Sequence, residues 1–152
     1  MKKCLYFILI TLSFNILNFI NLGTKFYKNL TLPFFAVPYN IFTFLWIITL
    51  ILISISVCQI ITENKIKDLS KNYKIVLLTN YIEIQLLKIL PPLLNNTFII
   101  FILSLFTFIS SLFLYQETTY IKEKSTKYLD LYVLLSLYIT ITSITIYVLN
   151  TH

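Results

Sequence analysis

The chain has 152 residues, of which 58% are hydrophobic and only 12% are charged. Soluble domains carry roughly 25% charged residues, so this composition excludes an ordinary soluble domain and indicates a protein embedded in a lipid bilayer. The net charge of +6 comes from twelve lysines, with no arginine. A nucleic-acid surface would need arginine-rich or aromatic-interleaved basic patches, which this sequence lacks. We therefore expect the bilayer, and no nucleic acid, as a partner.

Five apolar runs are long enough to cross a hydrocarbon core, which takes about 20 helical residues. They cover residues 5–22, 41–61, 73–94, 97–115 and 128–149. Open strands cannot satisfy their backbone in lipid, so these runs predict helices. The first run resembles a signal peptide, but no small-residue cleavage pattern follows it, and we assign it as a span. The sequence predicts an all-α membrane protein, with one domain over residues 1–152 that is a bundle of five transmembrane helices.

The lysines in the connections predict the orientation. Nine lie before the first span, between spans two and three or at the start of span three, or between spans four and five, whereas only Lys25 and Lys28 lie on the other side. The positive-inside rule therefore places the N-terminus inside and the C-terminus outside, and the location we expect is a bacterial cell membrane. The first loop would then cap the outer face, and Asn95-Asn96 would join spans three and four in a tight hairpin.

The stretch from Phe26 to Trp46 begins as a loop and ends as a membrane helix. Pro33 and Pro38 hold the chain extended before each ring, so we expect the helix to begin at about Pro38. Aromatic residues crowd this boundary, where rings settle between headgroups and hydrocarbon. An interfacial aromatic belt accounts for most of that composition.

The order of residues in this stretch resembles a known family. The loop reads Phe26-Tyr27-x-x-Leu30-x-x-Pro33 and then Pro38, before a helix that carries Phe42 and Trp46. This is similar to the TspO/MBR family of tryptophan-rich sensory proteins and translocator proteins, whose pattern is aromatic-Tyr-x-x-Leu-x-Lys-Pro, a Pro-Pro pair and Val-Trp-x-x-Leu-Tyr. The sequence departs from this pattern where Leu32 replaces the lysine, Val37 the first proline of the pair, and Leu50 the tyrosine.

The resemblance implies a five-helix bundle, often dimeric, with a pocket beneath the first loop for porphyrins and other flat apolar ligands. It assigns Phe26, Tyr27, Pro33 and Pro38 to a lid over the pocket. It assigns Phe42 and Trp46 to the pocket wall, to which we add Tyr132 and Ser143 from the last span. Porphyrin or haem would be a ligand rather than a cofactor. Some members degrade porphyrin with pocket tryptophans, and since Trp46 is the single tryptophan we expect no enzymatic activity.

Polar residues within the spans predict which faces point into the bundle. The last span carries Tyr132, Ser136, Thr140, Ser143 and Tyr147 on one helical face, and the fourth carries Ser104, Thr107 and Ser111. Small hydroxyls at this spacing are typical of helix packing. The alternative is a ligand cavity edged by Tyr132 and Tyr147.

Glu83 lies near the middle of the third span, where burying a charge is costly, so it is a candidate proton or ion site. A protonated Glu83 bonded to Asn15 or Asn80 would be a purely structural alternative. The sequence offers no catalytic nucleophile and base, no metal-ligand spacing and no disulfide framework. Three hypotheses remain: a TspO-like protein that transports, sequesters or senses a tetrapyrrole or similar hydrophobic ligand, an ion-coupled transporter or small complex subunit that uses Glu83, and a structural subunit without a ligand.

Overall fold

The computed structural model describes residues 2–18, 24–63 and 69–151, and within these ranges the chain is helical and contains no strand. The helices in order are α1 (Lys2–Asn15, continued by a 3-10 turn at Ile16–Asn18), α2 (Thr24–Lys28), α3 (Tyr39–Glu63), α4 (Lys71–Leu94), α5 (Thr97–Thr126) and α6 (Asp130–Leu149).

Four of these helices, α3 to α6, are long and apolar enough to cross a membrane. They correspond to predicted spans two to five, with ends that shift by two residues or fewer except at the end of α5. The first predicted span overlaps α1, whose apolar part, Leu5–Asn15, is shorter than a span, and residues 19–22 of the predicted span lie outside the described residues. The architecture is therefore all-α, with four helices of membrane-spanning length.

The helix ends follow from local chemistry. Helix α3 begins directly after Pro38, whose carbonyl oxygen accepts a hydrogen bond of 3.0 Å from the Phe42 amide, as the fixed φ angle of proline favours at a helix start. Helices α4 and α5 are joined by the expected hairpin. Asn95 adopts a left-handed conformation at φ 47° to end α4, and the side chain of Asn96 accepts from the Phe98 amide at 2.9 Å to begin α5.

Helix α5 extends past its predicted end at residue 115 but is broken at Lys122, which has a non-helical φ of −159° and ψ of 96°. The hydroxyl oxygens of Thr119 and Thr126 lie 3.2 Å apart across the break. In a continuous helix, seven residues span about 10 Å, so the last turn must fold back on the helix before it. This turn is held against α3 by an ion pair from Lys122 to Glu63 and a 2.8 Å hydrogen bond from Ser125 to Gln59.

Helices α4, α5 and α6 pack closely through small polar side chains. Ser104 and Ser143 share a hydrogen bond of 2.6 Å, and Ser111 and Ser136 one of 3.0 Å, both between α5 and α6. Small residues let membrane helices approach closely, where packing and hydrogen bonds replace the hydrophobic effect. These hydroxyls are therefore helix-packing residues, while large apolar side chains such as Phe106 and Leu134 remain exposed on the outside of the bundle.

Candidate ligand site

The connection between α2 and α3 runs along α6. Backbone atoms of Thr31 exchange hydrogen bonds of 2.9 and 3.0 Å with the side chain of Asn150, at the end of α6. The Val37 amide donates to the Tyr138 hydroxyl at 2.9 Å, and that hydroxyl lies 3.3 Å from the Phe35 carbonyl oxygen, to which it donates. Positions 138 and 150 are separated by about 18 Å of helix. Residues 30–38 therefore run along the side of α6. We expected them to lie across the outer end of the bundle.

Helix α2 is anchored to α4 at a carbonyl group that a proline leaves unpaired. Pro91 lies inside α4 and has no amide hydrogen, so the Leu87 carbonyl cannot form its usual bond four residues on. The Tyr27 hydroxyl lies 3.4 Å from that carbonyl oxygen and donates a long hydrogen bond to it. Burial raises the pKa of Tyr27, with a smaller contribution from nearby Tyr39, so the hydroxyl stays protonated and able to donate.

A cavity of about 250 Å³ lies between the 30–38 segment and α6, and we call it the loop cavity. Its lining comes from α2, the 30–38 segment, α3, α5 and α6. The lining residues are Tyr27, Lys28, Leu32, Ala36, Val37, Tyr39, Phe42, Ile100, Tyr138, Ile139, Thr142, Ser143 and Ile146. A mostly apolar concave surface with a few polar groups is the usual form of a small-molecule site.

Few polar groups in this wall are available to a ligand. The Ser143 hydroxyl is already bonded to Ser104 and to the Thr140 carbonyl oxygen. The Thr142 hydroxyl is buried and has no hydrogen-bond partner among the described residues. An unpaired buried hydroxyl is costly, so a ligand with a polar group beside Thr142 would gain a hydrogen bond that the empty cavity lacks.

The structure brings some of the predicted site residues to this cavity and leaves others behind it. Tyr27, Phe42 and Ser143 line it. Phe26 packs edge-on against Tyr27 with ring centroids 5.1 Å apart, and Pro33 and Pro38 shape the segment without lining the cavity. Trp46 lies one layer deeper, because its ring stacks on Phe42 with centroids 6.2 Å apart. Tyr132 packs behind Trp46 at 6.4 Å, so both belong to the support of the wall rather than to its surface.

Sequence reasoning missed the face of α6 that lines the cavity. Tyr138, Thr142 and Ile146 are spaced by four residues and form one helical stripe, next to the serine face that packs on α5. The spacing was visible in the sequence. The role of this stripe in lining a cavity could not be predicted, because its partner is the irregular 30–38 segment, whose course no periodicity predicts.

Glu83 lies outside the loop cavity, in a hydrogen-bonded group of its own. The Ser110 hydroxyl donates to a carboxylate oxygen of Glu83. The Asn80 amide donates to Ser110 at 2.8 Å and to the Tyr132 hydroxyl at 2.7 Å. In the structural alternative that the sequence left open, Glu83 would bond to Asn15 or Asn80; its partner is Ser110, which in turn accepts from Asn80.

The described residues also line two larger cavities, of about 390 Å³ each. One lies near the ion pair of Lys122 and Glu63 and is largely polar. The other is an apolar groove between α1, α3 and α4. The polar cavity already contains its own paired charges, and the groove opens on the outside of the bundle. The groove also contains an unpaired hydroxyl, that of Tyr73, but it is more open to the outside than the loop cavity.

No protein-family model matches the chain, and no curated protein matches it significantly.

Proposed function

We propose that this is a TspO-like integral membrane protein that binds a hydrophobic small molecule in the loop cavity and acts in its transport, sequestration or sensing. The observation that carries the proposal is the loop cavity itself, where the apolar wall of α6 faces a segment held by Tyr138 and Asn150. The order of residues from Phe26 to Trp46, which resembles the TspO/MBR family, supports the same reading. A homodimer would be in keeping with that resemblance.

The size of the cavity bears on the class of ligand. Its volume of about 250 Å³ lies just below the range of about 300–1,000 Å³ that is usual for small-molecule pockets. A ligand of two or three fused or linked rings matches this space. A porphyrin or haem needs the 30–38 segment to move away from α6. Because that segment is held by a few hydrogen bonds, a tetrapyrrole would enter by displacing it.

The proposal includes a fifth span and an orientation. Helix α1 packs against α3, and the apolar sequence continues to Leu22, which supports a first span over residues 5–22. The distribution of lysines supports an N-terminus inside and a C-terminus outside.

The test is ligand titration of the purified protein in detergent. N-phenyl-1-naphthylamine is a small neutral fluorophore, and energy transfer from Trp46, the single tryptophan, reports probe bound close to it. We expect saturable transfer for this probe. Substituting Thr142→Phe, which fills the cavity, should weaken binding at least about tenfold, or 1.4 kcal/mol.

The matched control is Thr145→Phe, on the same helix but outside the lining, which should bind as the unmodified protein does. Transfer that rises linearly with probe concentration, as it does when probe merely enters the micelle, would contradict the proposal. Equal binding by the two variants would also contradict it.

A second candidate function is ion-coupled transport through Glu83. The observation that favours it is an intramembrane carboxylate hydrogen-bonded to Ser110 rather than paired with a cation. This candidate requires no ligand in the loop cavity.

A further inference from the structure

A continuous set of contacts joins the loop cavity to Glu83. Phe42 lines the cavity, Trp46 stacks on Phe42, and the Tyr132 ring packs on Trp46. From Tyr132 the path continues through the Asn80 amide and the Ser110 hydroxyl to the Glu83 carboxylate. The interior members are closely confined, since Trp46 is 3% exposed and Tyr132 and Asn80 are fully buried.

The hydrogen bonds in this path are incomplete when Glu83 is a carboxylate. Ser110 uses its single hydrogen on Glu83, and the Asn80 NH₂ group donates to both hydroxyls. Two groups are then unsatisfied among the described residues. Asn80 Oδ1 is buried without a partner, and the Tyr132 hydroxyl, which accepts from Asn80, donates to no acceptor. Unsatisfied polar groups in an apolar interior are costly.

Protonation of Glu83 allows the hydrogen bonds along this path to reverse, so that each former acceptor becomes a donor. If Glu83 is protonated, its O–H donates to Ser110 Oγ, and the Ser110 hydrogen is released for Asn80 or for the Thr107 carbonyl oxygen 3.2 Å away. Rotating the Asn80 amide by half a turn brings Oδ1 to face both hydroxyls, and amide orientations of this kind follow the hydrogen-bond network around them. Ser110 and Tyr132 then both donate to Oδ1, and the Asn80 NH₂ group lies on the side where Oδ1 had no partner, so each state leaves one group of Asn80 unpaired. The two directions differ by one proton, which Glu83 exchanges with the aqueous phase.

Within the described residues, the neighbouring helices place no charged side chain beside Glu83, so its proton exchange depends on the hydrogen-bonded group around it. In α5 no charged side chain occurs between Thr97 and Gln116, and in α6 none occurs after Asp130. Helix α1 carries none from Leu5 onwards, and α3 carries none before Glu63. On α4 itself Lys88 is five residues from Glu83, about 140° around the helix. Tyr132 is thus the titratable group that the neighbouring helices present to the network.

We propose that Glu83 takes up or releases a proton when the loop cavity is occupied, with Ser110, Asn80, Tyr132 and Trp46 connecting the two sites. This inference rests on the proposed function, because it requires a ligand in the cavity. A ligand that presses on Phe42 displaces Trp46 and Tyr132, and the 2.7 Å bond from Asn80 to Tyr132 tolerates little displacement. The protein with an occupied loop cavity and the protein with an empty one therefore favour opposite directions of the hydrogen bonds between Glu83 and Tyr132. Such a protein would exchange a proton for each hydrophobic ligand that it binds or releases.

The experiment measures the Kd of N-phenyl-1-naphthylamine for the full chain in detergent between about pH 5 and pH 8, the range in which this probe stays neutral. Coupling free energies between sites typically change affinity by 5- to 150-fold, so we expect the Kd to change at least about fivefold across the range. Glu83→Gln, which cannot titrate, should bind with the same Kd at every pH. Ser110→Ala keeps the carboxyl but removes its link to Asn80, and should reduce the change to less than about twofold.

The matched control is Glu117→Gln, which removes a carboxylate seven residues from Ser110 on α5, about 10 Å along the helix, and should keep the unmodified pH profile. A measurement that needs no variant is proton uptake or release on adding the probe in weakly buffered solution. Linkage requires it wherever the Kd depends on pH.

The outcomes separate the two proposals. Saturable binding with a pH-independent Kd and no proton exchange overturns the coupling but leaves the ligand site intact. A pH dependence that persists in Glu83→Gln overturns the role of Glu83. The absence of saturable binding at every pH overturns both the ligand site and its coupling.

Discussion

Asn80 is a fully buried amide that holds three helices together. It lies on α4 and donates to Ser110 of α5 and to Tyr132 of α6. Its position next to Glu83 made it a candidate partner in the sequence. The two hydroxyls that it bonds are 30 and 52 residues away, and no local pattern connects them to Asn80. At the scale of single residues, the sequence predicted which side chains are polar and buried but not which pairs they form.

Substituting Asn80→Leu tests how much this amide contributes to the free energy of unfolding. The change keeps a similar volume but leaves the hydroxyls of Ser110 and Tyr132 without their donor. Hydrogen bonds between membrane helices are worth about 0.6 kcal/mol on average and up to about 1.7. We therefore expect a loss of roughly 1–2 kcal/mol, measured by detergent or thermal unfolding with Trp46 fluorescence. Asn72→Leu, at an exposed position of α4, is the control, and equal stability of the two variants would contradict the prediction.

The 30–38 segment is the element on which the candidate site depends. Its backbone has no regular partner, so Asn150 and Tyr138 supply the hydrogen bonds that a helix would have supplied internally. The sequence indicated an irregular segment ending at Pro38, and α3 does begin at Tyr39. Its course along α6 was not predicted, because it depends on side chains more than 100 residues later in the chain.

Removing the Tyr138 hydroxyl should loosen this element. Tyr138→Phe keeps the ring but removes an acceptor for the Val37 amide and a donor to the Phe35 carbonyl. Hydrogen bonds of this kind contribute about 1 kcal/mol each, so the Val37 amide should exchange its hydrogen roughly fivefold faster or more.

Hydrogen-exchange mass spectrometry of the peptide that covers residues 30–39 provides the measurement. Tyr120→Phe changes a tyrosine that is 77% exposed and should leave exchange in this peptide unchanged. Unaltered exchange in Tyr138→Phe would show that other contacts hold the segment.

The described helices form a bundle whose outside is apolar and whose inside combines an apolar core with buried small polar groups. Large apolar side chains on α4, α5 and α6 are exposed, whereas the serines of α5 and α6 face each other. This distribution is that of a helical protein surrounded by lipid. The turn at Asn95 and Asn96 and the turn at Lys127 lie at opposite ends of the bundle, because these two turns stand at the two ends of α5.

The orientation across the membrane can be tested by labelling single cysteines. In a background of Cys4→Ser and Cys58→Ala, we expect Asn96→Cys to react with an impermeant maleimide added outside intact cells. Lys127→Cys should react only after the membrane is opened, because the lysine-rich connections stay inside. Both residues are exposed in the structure, so accessibility should depend on the side of the membrane. The reverse pattern would contradict the proposed orientation.

The sequence by itself determined the fold class, four of the five spans that it predicted, the α4–α5 hairpin and the start of α3 after Pro38. These features follow from local properties, namely hydrophobic length, the missing amide of proline and the turn preference of asparagine. Only the tertiary structure decided that Trp46 lies behind Phe42, that the 30–38 segment follows α6, and that Ser110 rather than Asn80 contacts Glu83. Each of these depends on how distant helices are rotated and shifted against one another, and hydrophobic periodicity leaves that undetermined when every face of a helix is apolar.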